Sequence, residues 1–263
     1  MSRYPQRIVC LTEETVETLH LLGCLDLVVG VSGFAVRPKE VRRKPRVSAF
    51  ISADIPKILA LKPDLVMTFS DLQAEIVAGL VKAGVEVMAF NQRSLVEVYR
   101  AIRMCGALVG KAAEAEALAA QLEEGVERTR ERARSRRKLR VFFEEWDDPL
   151  ISAIGWVSEL VEAAGGVDIF AETRGTQAAS ERVVQPAEVV RRNPEVIIGS
   201  WCGKKFRPER VRNRPGFDVV TAVQRGALHE VKSTIILQPG PAALTDGLVA
   251  LERILVMEEA RGS

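Results

Sequence analysis

The chain has 263 residues, 47% of them hydrophobic and 27% charged, an ordinary globular composition with material for a sizeable core. Its net charge of +2 comes from nearly balanced acids and bases, which leaves no electrostatic footprint for nucleic acid. No uninterrupted apolar run approaches the roughly 20 residues that cross a bilayer, and Cys10, Cys24, Cys105 and Cys202 lie far apart without a C-x-x-C pair, against a zinc site or a disulfide framework.

Taken in order, Arg7–Leu11 reads as a strand, Glu13–Leu22 as a helix begun at Thr12 and stopped at Gly23, and Leu27–Val31 as a second strand. Asp54–Leu61 (helix), Leu65–Phe69 (strand), Leu72–Ala83 (helix) and Val85–Phe90 (strand) continue the alternation, which implies a parallel sheet covered on both faces. Ser94–Leu108 follows as a helix, with Ser94 and Glu97 outlining a capping box. Next comes one long helix, Lys111 to Arg137. Ala115, Leu118, Leu122, Val126, Thr129 and Ala133 form a narrow apolar stripe at steps of three and four. Acids crowd its first half and arginines its second, as a helix macrodipole favours. Roughly 26 residues at 1.5 Å each would span about 40 Å, so a connecting strut with a solvated basic end is expected. Beyond it, Leu139–Phe143, Val167–Phe170, Val196–Ser200 and Ala227–Val231 read as strands, and 157–164, 186–192 and 246–257 as helices.

A length near the limit for a single core favours two lobes. One device also occurs twice: Ile58-Leu59-Ala60-Leu61-Lys62-Pro63-Asp64-Leu65-Val66 and Val189-Val190-Arg191-Arg192-Asn193-Pro194-Glu195-Val196-Ile197 both read as helix, Pro stop, acid, apolar strand. Because the strut lies between the copies, the expected fold is α/β, with two Rossmann-like lobes of mainly parallel sheet joined by one long helix. The expected boundaries are 1–110, 111–137 and 138–263.

Signatures of the common enzyme classes are missing: there is no G-x-S-x-G, P-loop, G-x-G-x-x-G or H-E-x-x-H. His20 reads as a packed or half-exposed helix residue. His229, in a strand, is a possible ligand contact or a structural residue. Cys202 follows a strand end, where open α/β sheets place ligands; as a nucleophile it would need a base that no pattern supplies, and small buried filler is the simpler reading. Aromatic residues are only 5% of the chain, yet Phe34, Phe50, Phe69, Trp146 and Trp201 follow strand ends and Trp156 precedes a helix. Singly, Phe34 and Phe69 read as core filling. Together, the set suggests flat apolar surfaces for a large planar organic ligand.

These segments carry a resemblance to a family. Arg7-Ile8-Val9-Cys10-Leu11, Ile58-Leu59-Ala60-Leu61-Lys62-Pro63-Asp64-Leu65-Val66, Glu145-Trp146 with Asp148-Pro149, and Gly155-Trp156-Val157-Ser158-Glu159-Leu160 resemble the cobalamin-binding substrate-binding proteins of ABC transporters, over about Arg7 to Leu255. The superfamily also includes siderophore and haem binders. The resemblance implies a non-enzymatic protein holding cobalamin or another corrinoid between its lobes, with no catalytic cofactor or resident metal. Its ligand contacts would fall on Phe34 and Phe50, with Phe69 nearby, and on Trp156 and Trp201; the strand-end reading adds Trp146, Cys202 and His229 as candidate ligand contacts, and Cys202 or His229 could ligate cobalt. Transporter-docking members carry a surface glutamate on each lobe, and here the matching positions are Pro56 and Ala187, with Asp54 and Glu188 close by. The N-terminus also lacks the pattern of an export signal. The expectation is therefore a monomeric, cytoplasmic corrinoid binder, the alternative being an exported importer component for cobalamin, a ferric siderophore or haem.

Overall fold

Ile8, Val9 and Cys10 are fully buried and form the central strand, β1 (Ile8–Cys10), of the first of two sheets. The computed structural model describes residues 2–262; Met1 and Ser263, the outermost residues of the expected lobes, lie outside them. The chain divides into an N-terminal unit, residues up to Gln92 plus Val96–Gln121, and a C-terminal unit, Arg93–Leu95 plus residues from Leu122 onward.

In the N-terminal unit, β2 (Val28–Ser32), β3 (Arg46–Ser48), β4 (Leu65–Phe69) and β5 (Val87–Phe90) join β1 in the order β3-β2-β1-β4-β5, every pairing parallel. Helices α1 (Glu13–Leu21), α2 (Ile55–Ala60) and α3 (Ala74–Lys82) connect the strands. Val9, Leu11, Val47, Ile58, Val66, Ile76 and Leu80 form one apolar cluster against the sheet. Helix α4 (Leu95–Leu108) leads into α5 (Ala112–Ala133), within which the chain passes from one unit to the other between Gln121 and Leu122.

The C-terminal unit repeats the plan. Strand β6 (Leu139–Asp147) is central; β9 (Val196–Gly199) and then β10 (Leu228–Glu230) lie on one side of it, β8 (Gly166–Asp168) pairs with it parallel, and β7 (Leu150–Ser152) folds back on it antiparallel. Helices α6 (Gly155–Ala163), α7 (Pro186–Arg192), α8 (Pro208–Arg212), α9 (Thr221–Gln224), α10 (Ser233–Ile236) and α11 (Leu248–Gly262) complete it. The fold class is the expected one, two α/β units with mainly parallel sheets.

The repeated helix–Pro–acid–strand device is the same clamp at atomic detail. In the first copy Lys62 turns left-handed (φ 49°) after α2, and Asp64 donates its amide to Arg7 O (2.9 Å) while its carboxylate accepts the Arg7 amide (2.9 Å). In the second, Asn193 turns left-handed (φ 43°), and Glu195 donates its amide to Arg140 O (2.8 Å) and accepts the Arg140 amide (3.0 Å). The arginine of each copy then caps the end of the preceding helix, Arg7 Nε on Leu61 O (3.0 Å) and Arg140 Nε on Asn193 O (3.2 Å). Helix carbonyls orphaned at a C-terminus gain donors, and the outgoing strand is held in register beside the central one.

Three expectations need correction. Helix α5 stops at Ala133, not Arg137, and its basic end is not simply solvated: Arg132 makes a two-pronged pair with Glu252 (3.0 and 2.7 Å), Arg136 donates to Ala164 O (2.6 Å) and Arg137 pairs with Glu195. Its stripe is buried as expected at Ala115, Leu122, Val126, Thr129 and Ala133, and Ala119 joins it. Strand β7 is not among the expected strands, and β3 is expected only as a strand end at Val47 before Phe50, because each has three residues and too little alternation to register as a pattern.

Candidate ligand-binding faces

Parallel α/β sheets present ligands at the carboxyl ends of their strands, where the following loops and helix N-termini gather. In the N-terminal unit those ends are tied together by one buried side chain. Gln73 accepts the Phe69 amide (3.1 Å) and donates to Phe50 O (2.8 Å) and, weakly, to Leu11 O (3.4 Å), so it joins the exits of β4, β3 and β1. Around it Phe69 is buried, Phe50 is half-buried, and Phe34 is 46% exposed. Phe69 is therefore core filling, as its position alone suggested, whereas Phe34 is not: it lies on the loop after β2 with close to half of its surface in solvent. Beside β3, Arg46, Ser48, Ala49, Ser52 and Asp54 line an open hollow of about 400 Å³.

The same end holds two acids that the pattern did not single out. Glu13 and Glu14 open α1, but both are buried, at 7% and 3% exposure. Burial pushes Glu14 up to about 8, opposed by the Thr12 hydroxyl that donates to its Oε1 (2.6 Å). Burial likewise raises Glu13 to about 7, against the pull of Ser32 and Arg46. Acids in a helix's first turn are ordinarily favoured by the helix dipole; the sheet packed around these two makes them costly to ionise.

In the C-terminal unit the exits of β6 and β9 carry a charged aromatic cluster. Trp201 is 2% exposed; its indole N–H donates to Glu144 (2.8 Å), which also takes both prongs of Arg214 (2.6 and 2.7 Å). Phe206 packs edge-on against Trp201 with ring centres 5.1 Å apart. That contact requires glycine at position 199, since a Cβ there would meet the Phe206 ring at 1.9 Å. Trp146 is half-buried, and the Lys204 ammonium lies 3.8 Å over its ring. Lys204 and Arg210 both pair with one buried carboxylate, Asp147. Thus Trp146 and Trp201 are brought to one place, but Trp201 is a core residue and Trp146 offers the surface. Cys202 beside them is exposed, not buried filler.

Trp156 stands elsewhere, in the first turn of α6 and not in a preceding loop. It is 2% exposed and donates to Ile236 O (3.0 Å), so its ring belongs to the core. His229 lies on β10 as expected, but its Nε2 is engaged by Glu258 of α11 (2.8 Å), which also takes Arg261 (2.9 Å). His20 is exposed. Among the described residues no group of three or more metal-ligating side chains occurs, and no helix is long and apolar enough to cross a membrane. Lys204, Arg210, Glu144 and Gln73 escaped the sequence reading because a single polar residue carries no period that marks its distant partner.

Against known proteins, residues 8–234 match the family model described as periplasmic binding protein. The chain belongs to the periplasmic binding protein family. It is similar to an uncharacterised ABC transporter substrate-binding lipoprotein, YvrC, of Bacillus subtilis, 26% identical over 251 residues, covering 92% of this chain and 77% of the relative. A vitamin B12-binding protein of Vibrio parahaemolyticus is 25% identical over 220 residues, covering 79% of this chain and 78% of the relative. Among solved structures, the periplasmic haem-binding protein RhuT of Roseiflexus sp. RS-1, in apo form, superposes with a TM-score of 0.81 at 25% identity, covering 95% of this chain and 98% of that one. The chain is accordingly a substrate-binding protein of the ABC transporter type and not an enzyme.

Proposed function

We propose that the protein binds cobalamin or a related corrinoid, using aromatic surface at the carboxyl ends of its strands. The observation that carries this reading is the similarity to relatives described as vitamin B12-binding proteins, at 25–27% identity over most of the chain. Phe34 on the loop after β2 and the half-buried Phe50 and Trp146 beside strand exits are the side chains with ring surface left for a corrin. Trp156 and Trp201 would act from behind, as packing that holds the loops.

The relatives' descriptions as a lipoprotein and as ABC transporter components support an importer role outside the cytoplasm over the cytoplasmic store expected from the cysteines and the N-terminal residues. A permease contact would not use the two acids nearest the expected docking positions as they stand. Asp54 caps α2 by accepting the Lys57 amide (2.9 Å), and Glu188 is held down to about 2 by Arg191 and Arg192, which bond it.

Calorimetric and absorbance titration with cyanocobalamin tests the reading. Saturable one-to-one binding at micromolar or lower concentration is expected, and Trp146→Ala should weaken it by roughly tenfold, the value of a stacked aromatic. Absence of binding by the wild type would sink the corrinoid assignment. A second reading, haem, is favoured by the likeness to RhuT; haemin binding without cobalamin binding would select it.

A further inference from the structure

We propose that Lys204 and Arg210 select ligands that present an anionic oxygen group, a phosphodiester or a carboxylate, beside Trp146. This deepens the proposed function and rests on it. The argument is one of local charge. Glu144 and Arg214 are matched, one carboxylate to one guanidinium, and both are well buried. Asp147 is different: its side chain is 1% exposed and it serves two cations, Lys204 on Oδ1 and Arg210 on Oδ2 (2.7 Å), so one positive charge is in excess at that carboxylate. Neighbouring Lys205 and Arg207 are exposed, with no ion-pair partner among the described residues, and Glu209 is the only acid in the Gly203–Arg212 segment.

The excess charge is also placed on aromatic surface. Lys204 Nζ sits 3.8 Å over Trp146 and 5.4 Å from the Trp201 ring centre, and the Arg210 guanidinium is 5.5 Å from Trp201. All of this gathers at the carboxyl ends of β6 and β9, the end of the sheet at which α/β proteins receive ligands. A planar ligand stacking at Trp146 must displace or edge past Lys204. An anionic group on that ligand gives the displaced ammonium a partner, while a neutral ligand only removes it from the ring. Both kinds of ligand cost the Lys204–Trp146 contact, and only the anion-bearing one gives the ammonium a new partner in its place.

Each single substitution leaves Asp147 one cation, so Lys204→Gln and Arg210→Gln are expected to fold, with thermal melting as the check. Affinities of wild type and both variants would be measured for cyanocobalamin, which carries a phosphodiester, for dicyanocobinamide, which lacks it, and for haemin, which carries carboxylates, at low and high salt. For whichever anionic ligand binds, the variants should lose roughly tenfold and flatten the salt dependence, while cobinamide affinity should not fall and, in Lys204→Gln, should rise by up to about threefold because no cation–π contact is given up. Loss on cyanocobalamin assigns the phosphodiester, and loss on haemin the carboxylate. An equal loss for cobinamide, or no loss for any ligand, overturns the inference but leaves corrinoid binding standing. Failure of the wild type to bind any of the three overturns both.

Discussion

Glu13 and Glu14 show how little a residue's neighbours in sequence reveal of its chemistry. Two acids after Thr12 stand where a helix dipole ordinarily favours them, yet each is buried with its acidity weakened. The consequence for stability has a definite sign. Glu14 moves from an ordinary 4.5 to about 8 on folding, so between those values the folded chain holds a proton that the unfolded chain has released. Its contribution is fully present below about 4.5 and is lost as pH rises through 8. Denaturant midpoints should therefore fall from pH 5 to pH 8.5, and Glu14→Gln, which keeps an acceptor for Thr12, should reduce that fall by at least about 1 kcal/mol. An unchanged pH slope in the variant would show that the carboxyl ionises freely in the fold.

The two clamps make a pair of natural variants of one element. Both helices end on a left-handed residue before proline, but one copy uses Lys62 and the other Asn193. Lysine carries the full penalty of that backbone region. Asparagine tolerates it, and Asn193 Oδ1 also accepts the Thr221 amide (2.8 Å). Replacing Lys62 by Gly should stabilise the protein by about 0.5–1 kcal/mol, whereas Asn193→Gly should be neutral or destabilising because a buried-side bond goes with it. Equal responses at both positions, measured by chemical denaturation, would refute the distinction. The repeat was legible because Pro and the apolar triplet are strong local signals. The arginines that complete it, Arg7 and Arg140, were not, since they stand more than fifty residues away from the helix ends they cap.

At the scale of the whole molecule, two units of one plan share a helix. Gly125 is its only interior glycine, and a Cβ there would meet nothing closer than Arg128 at 3.9 Å. Gly125→Ala should thus raise stability by about 0.5–1 kcal/mol through helix propensity alone, read as a higher melting temperature. A lower melting temperature would mean that the glycine is needed where the chain passes between units. Binding adds a second, concentration-dependent term: ligand at 100 times its Kd should add about 2.7 kcal/mol, provided it binds only the folded chain.

The sequence by itself determined the fold class, the positions of the long strands and helices, the repeated clamp and the family, because each is written in local periods, stops and contiguous motifs. Hydrophobic alternation and a proline are read over ten residues, and folding cannot change them. Only the tertiary structure decided which aromatics are surface and which are core. Phe34 and Trp201 both follow strands, yet one is open and the other is sealed by Glu144, Arg214 and Phe206. It also decided that Asp147 holds two cations, Lys204 and Arg210, drawn from more than fifty residues downstream. Burial and ion pairing depend on what distant segments bring to the same place, and a lone Trp, Lys or Asp carries no record of that partner.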